Sequence, residues 1–142
     1  MNRKEFLSDC GRMGFAGVAL SLFPWLESCS EKAKQEVVGE KARIGIIGTG
    51  SRGLFHIQHL IQMPNVEVVA LCDNYRPHLE DALQYYPKAK AYDDYRRLLE
   101  DANVQGVIIA TPLYLHAQMT MDALRAGKRV FCEKSMAFTL DE

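Results

Sequence analysis

Three glycines in the spacing G-x-G-x-x-G, Gly48, Gly50 and Gly53, directly follow an apolar run of Ile44, Ile46 and Ile47. The chemistry such a loop serves is the grip on a phosphate. Gly48 permits the tight turn, Gly50 keeps a Cβ out of the path of a pyrophosphate, and Gly53 lets the next helix pack closely on the strand. The helix start then presents free N–H groups and a partial positive charge to the anion. Asp73 stands 20 residues after Gly53, at the end of a second apolar run, Val66–Leu71. A carboxylate there accepts hydrogen bonds from the hydroxyls of an adenosine ribose. A glycine triplet by itself occurs in ordinary turns; strand, glycine turn, helix and acidic residue in this order specify a nucleotide-binding βαβ unit.

The elements that hold these residues alternate along the chain. Arg43–Ile47 reads as the first strand, and Leu54, Ile57, Leu60 and Ile61 give the following segment a helical face that Pro64 and Asn65 close. Val66–Cys72 is the second strand. Pro77 suits the opening of a helix with Leu79, Ala82, Leu83 and Tyr86 inward, and Pro87 stops it. Ala89–Tyr92 is a short third strand, and Asp93 is placed to cap a helix over Asp94–Glu100. Val104–Ala110 is the fourth strand. A helix over His116–Ala126 is expected to turn Ala117, Met121 and Leu124 inward and to end at Gly127, before a fifth strand, Arg129–Cys132. Alternating strands and helices imply an α/β fold, a Rossmann-type doubly wound parallel sheet with right-handed crossovers and strand order 3-2-1-4-5. That order opens a crevice between strands one and four at their carboxyl ends. Thr111–His116, Glu133 and Lys134 fall at the same edge as the glycine loop, and Asp73 completes the rim.

With 17 basic against 18 acidic side chains in 142 residues, nothing in the charge favours nucleic acid or an anionic membrane surface. The four cysteines form no metal or disulfide framework, and no metal site is expected. Cys72 and Cys132 end strands that are not neighbours in the predicted order, so a bridge between them is not expected. His56 and His59 read as surface residues, and Tyr92 and Tyr95 as packing.

Residues 1–30 read as an address. A basic start (Arg3, Lys4, Arg12) precedes the apolar run Met13–Leu26, which is too short to span a bilayer core. Leu26–Cys29 resembles a lipoprotein signal-peptidase box with Cys29 as the acylated residue, and Asn2–Leu7 resembles a twin-arginine export motif with Lys4 in the second arginine's place. An exported protein, periplasmic or anchored to the membrane only through Cys29, is expected; the alternative is an amphipathic N-terminus on a cytoplasmic enzyme. Residues 31–41 are a charged linker, and residues 42–142 the folded domain. Thr139–Glu142 is a capping box that announces a further helix, so the chain reads as a fragment of a longer protein.

The stretches Ile44–Gly53, Ala70–Asp73, Tyr92–Tyr95, Val107–Pro112 with His116, and Gly127–Lys134 together resemble the Gfo/Idh/MocA family, the relatives of glucose–fructose oxidoreductase and inositol dehydrogenase. The resemblance covers residues 42–142 and includes the exported bacterial branch. It implies NAD as cofactor, with NADP possible, bound at the pyrophosphate by Gly48, Thr49, Gly50, Ser51, Arg52 and Gly53 and at the ribose by Asp73. Thr111, Pro112 and His116 would flank the nicotinamide half, Glu133 would approach its ribose, and Lys134 would be the catalytic residue facing the substrate hydroxyl. Two positions depart from the family: Ser135 replaces the proline after Lys134, so the cis peptide that helps aim the lysine is not expected, and Leu113 replaces an asparagine.

The function so implied is hydride transfer to or from a sugar, cyclitol or related polyol in a full-length protein, which can be a homo-oligomer. The family's substrate domain, C-terminal to this one, is absent, so this chain alone is expected to bind nucleotide without turnover. Two alternatives stand beside it: a nucleotide-binding module with a structural cofactor, and the NAD-dependent glycosidase branch of the same fold. That branch tends to carry valine where Lys134 stands.

Overall fold

A computed structural model describes residues 39–137, 139 and 141. The export segment with Cys29, most of the linker and parts of the terminal capping box lie outside the described residues. Among the described residues five strands form one parallel sheet: β1 Ala42–Ile47, β2 Val66–Cys72, β3 Lys90–Tyr92, β4 Gly106–Ile109 and β5 Arg129–Cys132. Between them lie α1 Ser51–Leu60, α2 Arg76–Tyr85, α3 Tyr95–Leu99 and α4 His116–Arg125, the last preceded by a single 3₁₀ turn, Leu113–Leu115. The sheet order is β3-β2-β1-β4-β5, as the alternation predicts.

Both faces of the sheet are covered, which is why its strands are near-continuous apolar runs. Successive residues of a strand point to opposite faces, so Ile46 joins Ile57, Val68, Leu71, Leu79 and Ala82 beneath α1 and α2. Its neighbour Ile47 joins Leu98, Val107, Ile109, Met119 and Ala123 beneath α3 and α4. The β1–β2 register slips once, Ile44 pairing with Val68 and Gly45 with Ala70. The extra residue in β2 lets both Val69 and Ala70 pack toward the second face.

The helix ends follow local chemistry with one correction. Pro77 lies in the first turn of α2. The cap of α3 is Asp94, not the expected Asp93: its carboxylate accepts from the Arg96 amide, while Asp93 lines the crevice beside it. Tyr92 and Tyr95 are packing residues, their hydroxyls donating to Asp101 at 2.5 Å and Asp122 at 2.8 Å.

The inward face of α4 also differs from expectation. His116, Met119 and Ala123 are buried, whereas Met121 is 46% and Leu124 54% exposed. Both triplets fit a helical stripe. The tie is broken by a polar residue: the His116 ring meets backbone carbonyls in the interior, and the Tyr95–Asp122 hydrogen bond holds the helix in that rotation. Cys72 and Cys132 are free thiols, with β1 and β4 between their strands. Burial, then the charges of Asp73, Asp94 and Asp93, push the Cys72 thiol up to about 12, so it is an inert core group.

Candidate functional site

The chain leaves β1 through Gly48, whose φ of +88° lies in the left-handed region that favours glycine. Its N–H donates to the Cys72 carbonyl at 2.8 Å, tying the loop to the end of β2. Gly50 is the N-cap of α1, and among the described residues no side chain caps this helix start. The first-turn N–H groups of a helix have no intrahelical partner, and α1 has no acidic residue in its first turn to answer them. A Cβ on Gly50 would project into the crevice, meeting His78 at 3.4 Å and no other group closer. Space, orphan donors and a helix dipole thus coincide at one point, and they fit a pyrophosphate.

From that point a crevice of about 700 Å³ runs between the ends of β2, β1 and β4, within the range of small-molecule and cofactor sites. Gly48, Gly50, Asp73, Thr111 and Pro112 line it together with His78. Asp73 is held from two sides. Its Oδ2 accepts from the Thr49 amide at 2.8 Å and the Thr49 hydroxyl at 3.2 Å, and its Oδ1 from the Tyr75 amide at 2.8 Å. Thr49 is buried, so its side chain orients Asp73 rather than facing the crevice.

The remaining expected residues gather at a second focus. Glu133 continues from β5, its N–H donating to the Ile109 carbonyl at 3.0 Å. Its Oε1 accepts from Arg52 Nε at 2.7 Å and from His56 Nε2 at 2.6 Å, both on α1. Arg52 above all, then His56 and the Lys134 amide, hold the Glu133 carboxyl down at about 2 against the opposing effect of burial. His56 corrects the surface reading: it lies one helical turn after Arg52, packs edge-on against Phe131 with ring centroids 5.5 Å apart, and joins the site. The four-residue spacing from Arg52 was the available signal. The His59 ring bonds within its own helix, to the Phe55 carbonyl.

His116 is 2% exposed, and both its ring nitrogens face protein carbonyls, Nδ1 that of Ser135 and Nε2 that of Thr111, each at 2.8 Å. The Lys134–Ser135 peptide is cis, contrary to the expectation from the missing proline. Lys134 itself is exposed.

A stability–pH prediction follows from Glu133. A carboxyl with a depressed folded value stabilises the fold above its unfolded value and loses that contribution as pH falls through the folded one. The window therefore runs from the ordinary 4.5 down to about 2. Unfolding midpoints of wild type and Glu133→Gln, compared in acid titration, should differ at pH 6 and converge toward about pH 2; a constant difference would mean the ion pair does not hold.

A glycine loop opening a helix, with an acidic rim at the switch point of a doubly wound sheet, defines a nucleotide-binding α/β domain. The profile of the Gfo/Idh/MocA oxidoreductase family, NAD-binding Rossmann fold, matches residues 42–142, and the chain belongs to that family. It is 37% identical over 153 residues, the whole of this chain and 31% of the relative, to a glycosyl hydrolase family 109 protein of Stenotrophomonas maltophilia. Myo-inositol dehydrogenase from Lactobacillus casei, solved with NAD(H) and myo-inositol, superposes with a TM-score of 0.68 at 33% identity, over 71% of this chain and 30% of that one. A 3-ketoreductase from Actinomadura kijaniata, solved with NADP and TDP-benzene, gives 0.64 at 28% identity, over 69% and 30%. The chain spans about a third of the length of the curated relatives it matches.

Proposed function

We propose that this domain holds NAD across the crevice and that the full-length protein transfers hydride to or from a sugar, cyclitol or related polyol. The observation that carries the reading is the uncapped start of α1 at Gly50, opening into the same crevice as Asp73. The α1 N–H groups and Arg52 hold the pyrophosphate, Asp73 accepts from the adenosine ribose, and Thr111 and Pro112 flank the other half. The dinucleotide, when bound, supplies the hydride acceptor or donor. The Lys134 ammonium faces the substrate hydroxyl, where a positive charge stabilises developing alkoxide and can relay its proton.

The names of the relatives favour a second reading, glycoside cleavage with the same cofactor. Lys134 supports the oxidoreductase, because an exposed amine at the strand end suits proton relay from an alcohol. The full-length protein, incubated with NAD and a panel of free polyols including myo-inositol, should accumulate NADH at 340 nm. Release of nitrophenol from aryl glycosides without net NADH would replace this reading with the second.

Cofactor choice is a further expectation. The Asp73 carboxylate repels a 2′-phosphate, and Arg76, the nearest cation in sequence, pairs with Glu80 at 2.8 Å on the surface of α2. Like charges a few ångström apart cost about 1 kcal/mol or more, so NADH should bind at least about fivefold more tightly than NADPH. Titration of the chain with both decides, and tighter NADPH binding would sink the assignment.

A further inference from the structure

Lys134 is exposed, and its ammonium makes no hydrogen bond or ion pair among the described residues. The peptide on its amino side is held, and so is the Ser135–Met136 peptide one residue beyond it. On the amino side, the Lys134 amide donates to Glu133 Oε2 at 3.3 Å. Oε1 of the same carboxylate is gripped by His56 and Arg52 from α1. Beyond Ser135, in the next peptide, the Ser135 carbonyl faces His116 Nδ1, and the other ring nitrogen faces the Thr111 carbonyl. The holders are buried where the lysine is not: Glu133 is 8% and His116 2% exposed. A lysine is a point charge on a flexible four-carbon stem, so the backbone from which it starts sets the volume its charge can sample.

We propose that His56 and His116 are positioning residues for Lys134, His56 acting through the Glu133 carboxylate and His116 through the Ser135 carbonyl. The inference rests on the reading of Lys134 as the residue nearest the reacting atoms. It departs from a ligand role for His116, because both ring nitrogens are already taken up by the protein. It adds His56, which the pattern of the sequence leaves on the surface. The two histidines also link Lys134 to the cofactor crevice, one through the helix that begins at the glycine loop, the other through Thr111.

The test uses the 142-residue chain in solution by NMR, with no cofactor. His56→Leu should accelerate amide exchange at Lys134 by up to about tenfold, the worth of one net hydrogen bond. His116→Gln, whose amide reaches the Nε2 position, should shift the Ser135 carbonyl resonance and lower the Lys134 order parameter. His56→Gln and His116→Asn keep a donor toward Glu133 and Ser135 respectively, and should restore wild-type values. Core amides of β1 and β4 report whether each variant is folded. NADH affinity should stay within about threefold of wild type in all four variants. Unchanged order and exchange at Lys134 in folded His56→Leu and His116→Gln would overturn the proposal, as would a loss of NADH affinity with Lys134 unaffected. A wild-type chain that binds no NADH would remove the functional reading instead, and the exchange and order readouts would still judge the clamp.

Discussion

Gly53→Ala is expected to leave little or no folded protein. A Cβ at this position would stand 2.0 Å from the Gly48 carbonyl oxygen and 2.9 Å from its carbon. Both are backbone atoms, so no rotamer change relieves the overlap. Gly53 is buried in the first turn of α1, and one turn later Ile57 is fully buried in the core beneath the sheet. Lifting the helix to make room would pull Ile57 out of contact with Ile46 and Val68. Overpacking of this kind falls among the rare substitutions that cost more than about 4 kcal/mol, against a total stability of about 5–15 kcal/mol for a domain. Soluble yield and thermal unfolding by circular dichroism measure it. A midpoint within a few degrees of wild type would show that the loop and helix are not packed as described.

Gly50→Val should have the opposite profile, with the fold kept and nucleotide binding lost. Gly50 has φ −62° and ψ −164°, an extended conformation open to any residue. Its new Cβ would meet only His78, at ordinary contact distance. A substitution on the surface of a crevice, away from core and strained backbone, changes stability by about 0.5 kcal/mol. Yet the valine methyls would occupy the space above the uncapped N–H groups of α1, where the pyrophosphate has to come. NADH affinity should fall at least about a hundredfold, or some 2.7 kcal/mol, with the unfolding midpoint nearly unchanged. A folded variant that binds NADH as wild type does would place the phosphate site elsewhere. Two glycines of one motif thus predict different losses, because one abuts backbone and the other abuts open crevice.

Much of this protein was legible before any tertiary structure. Alternating strand and helix patterns, joined by right-handed crossovers, leave few topologies, and the strand order is the expected one. Gly48, Gly50 and Asp73 converge on one crevice because a doubly wound sheet brings the carboxyl ends of β1 and β2 together. What the sequence by itself determined was therefore the set of elements, their order and the edge at which the chemistry sits.

The tertiary structure decided which side chains meet. Two stripes of α4 are equally helical, and the carbonyls of Thr111 and Ser135, from two separate loops, together with the Tyr95–Asp122 hydrogen bond select the one containing His116. The spacing from Arg52 puts His56 on the same helix face, but the carboxylate both of them meet, Glu133, lies 77 residues from His56 in the sequence. Periodicity and turn chemistry are local, reaching a few residues along the chain. Whether a histidine is buried or solvated depends on the acceptors that other segments bring to it, and those are set only when the sheet has closed its two faces.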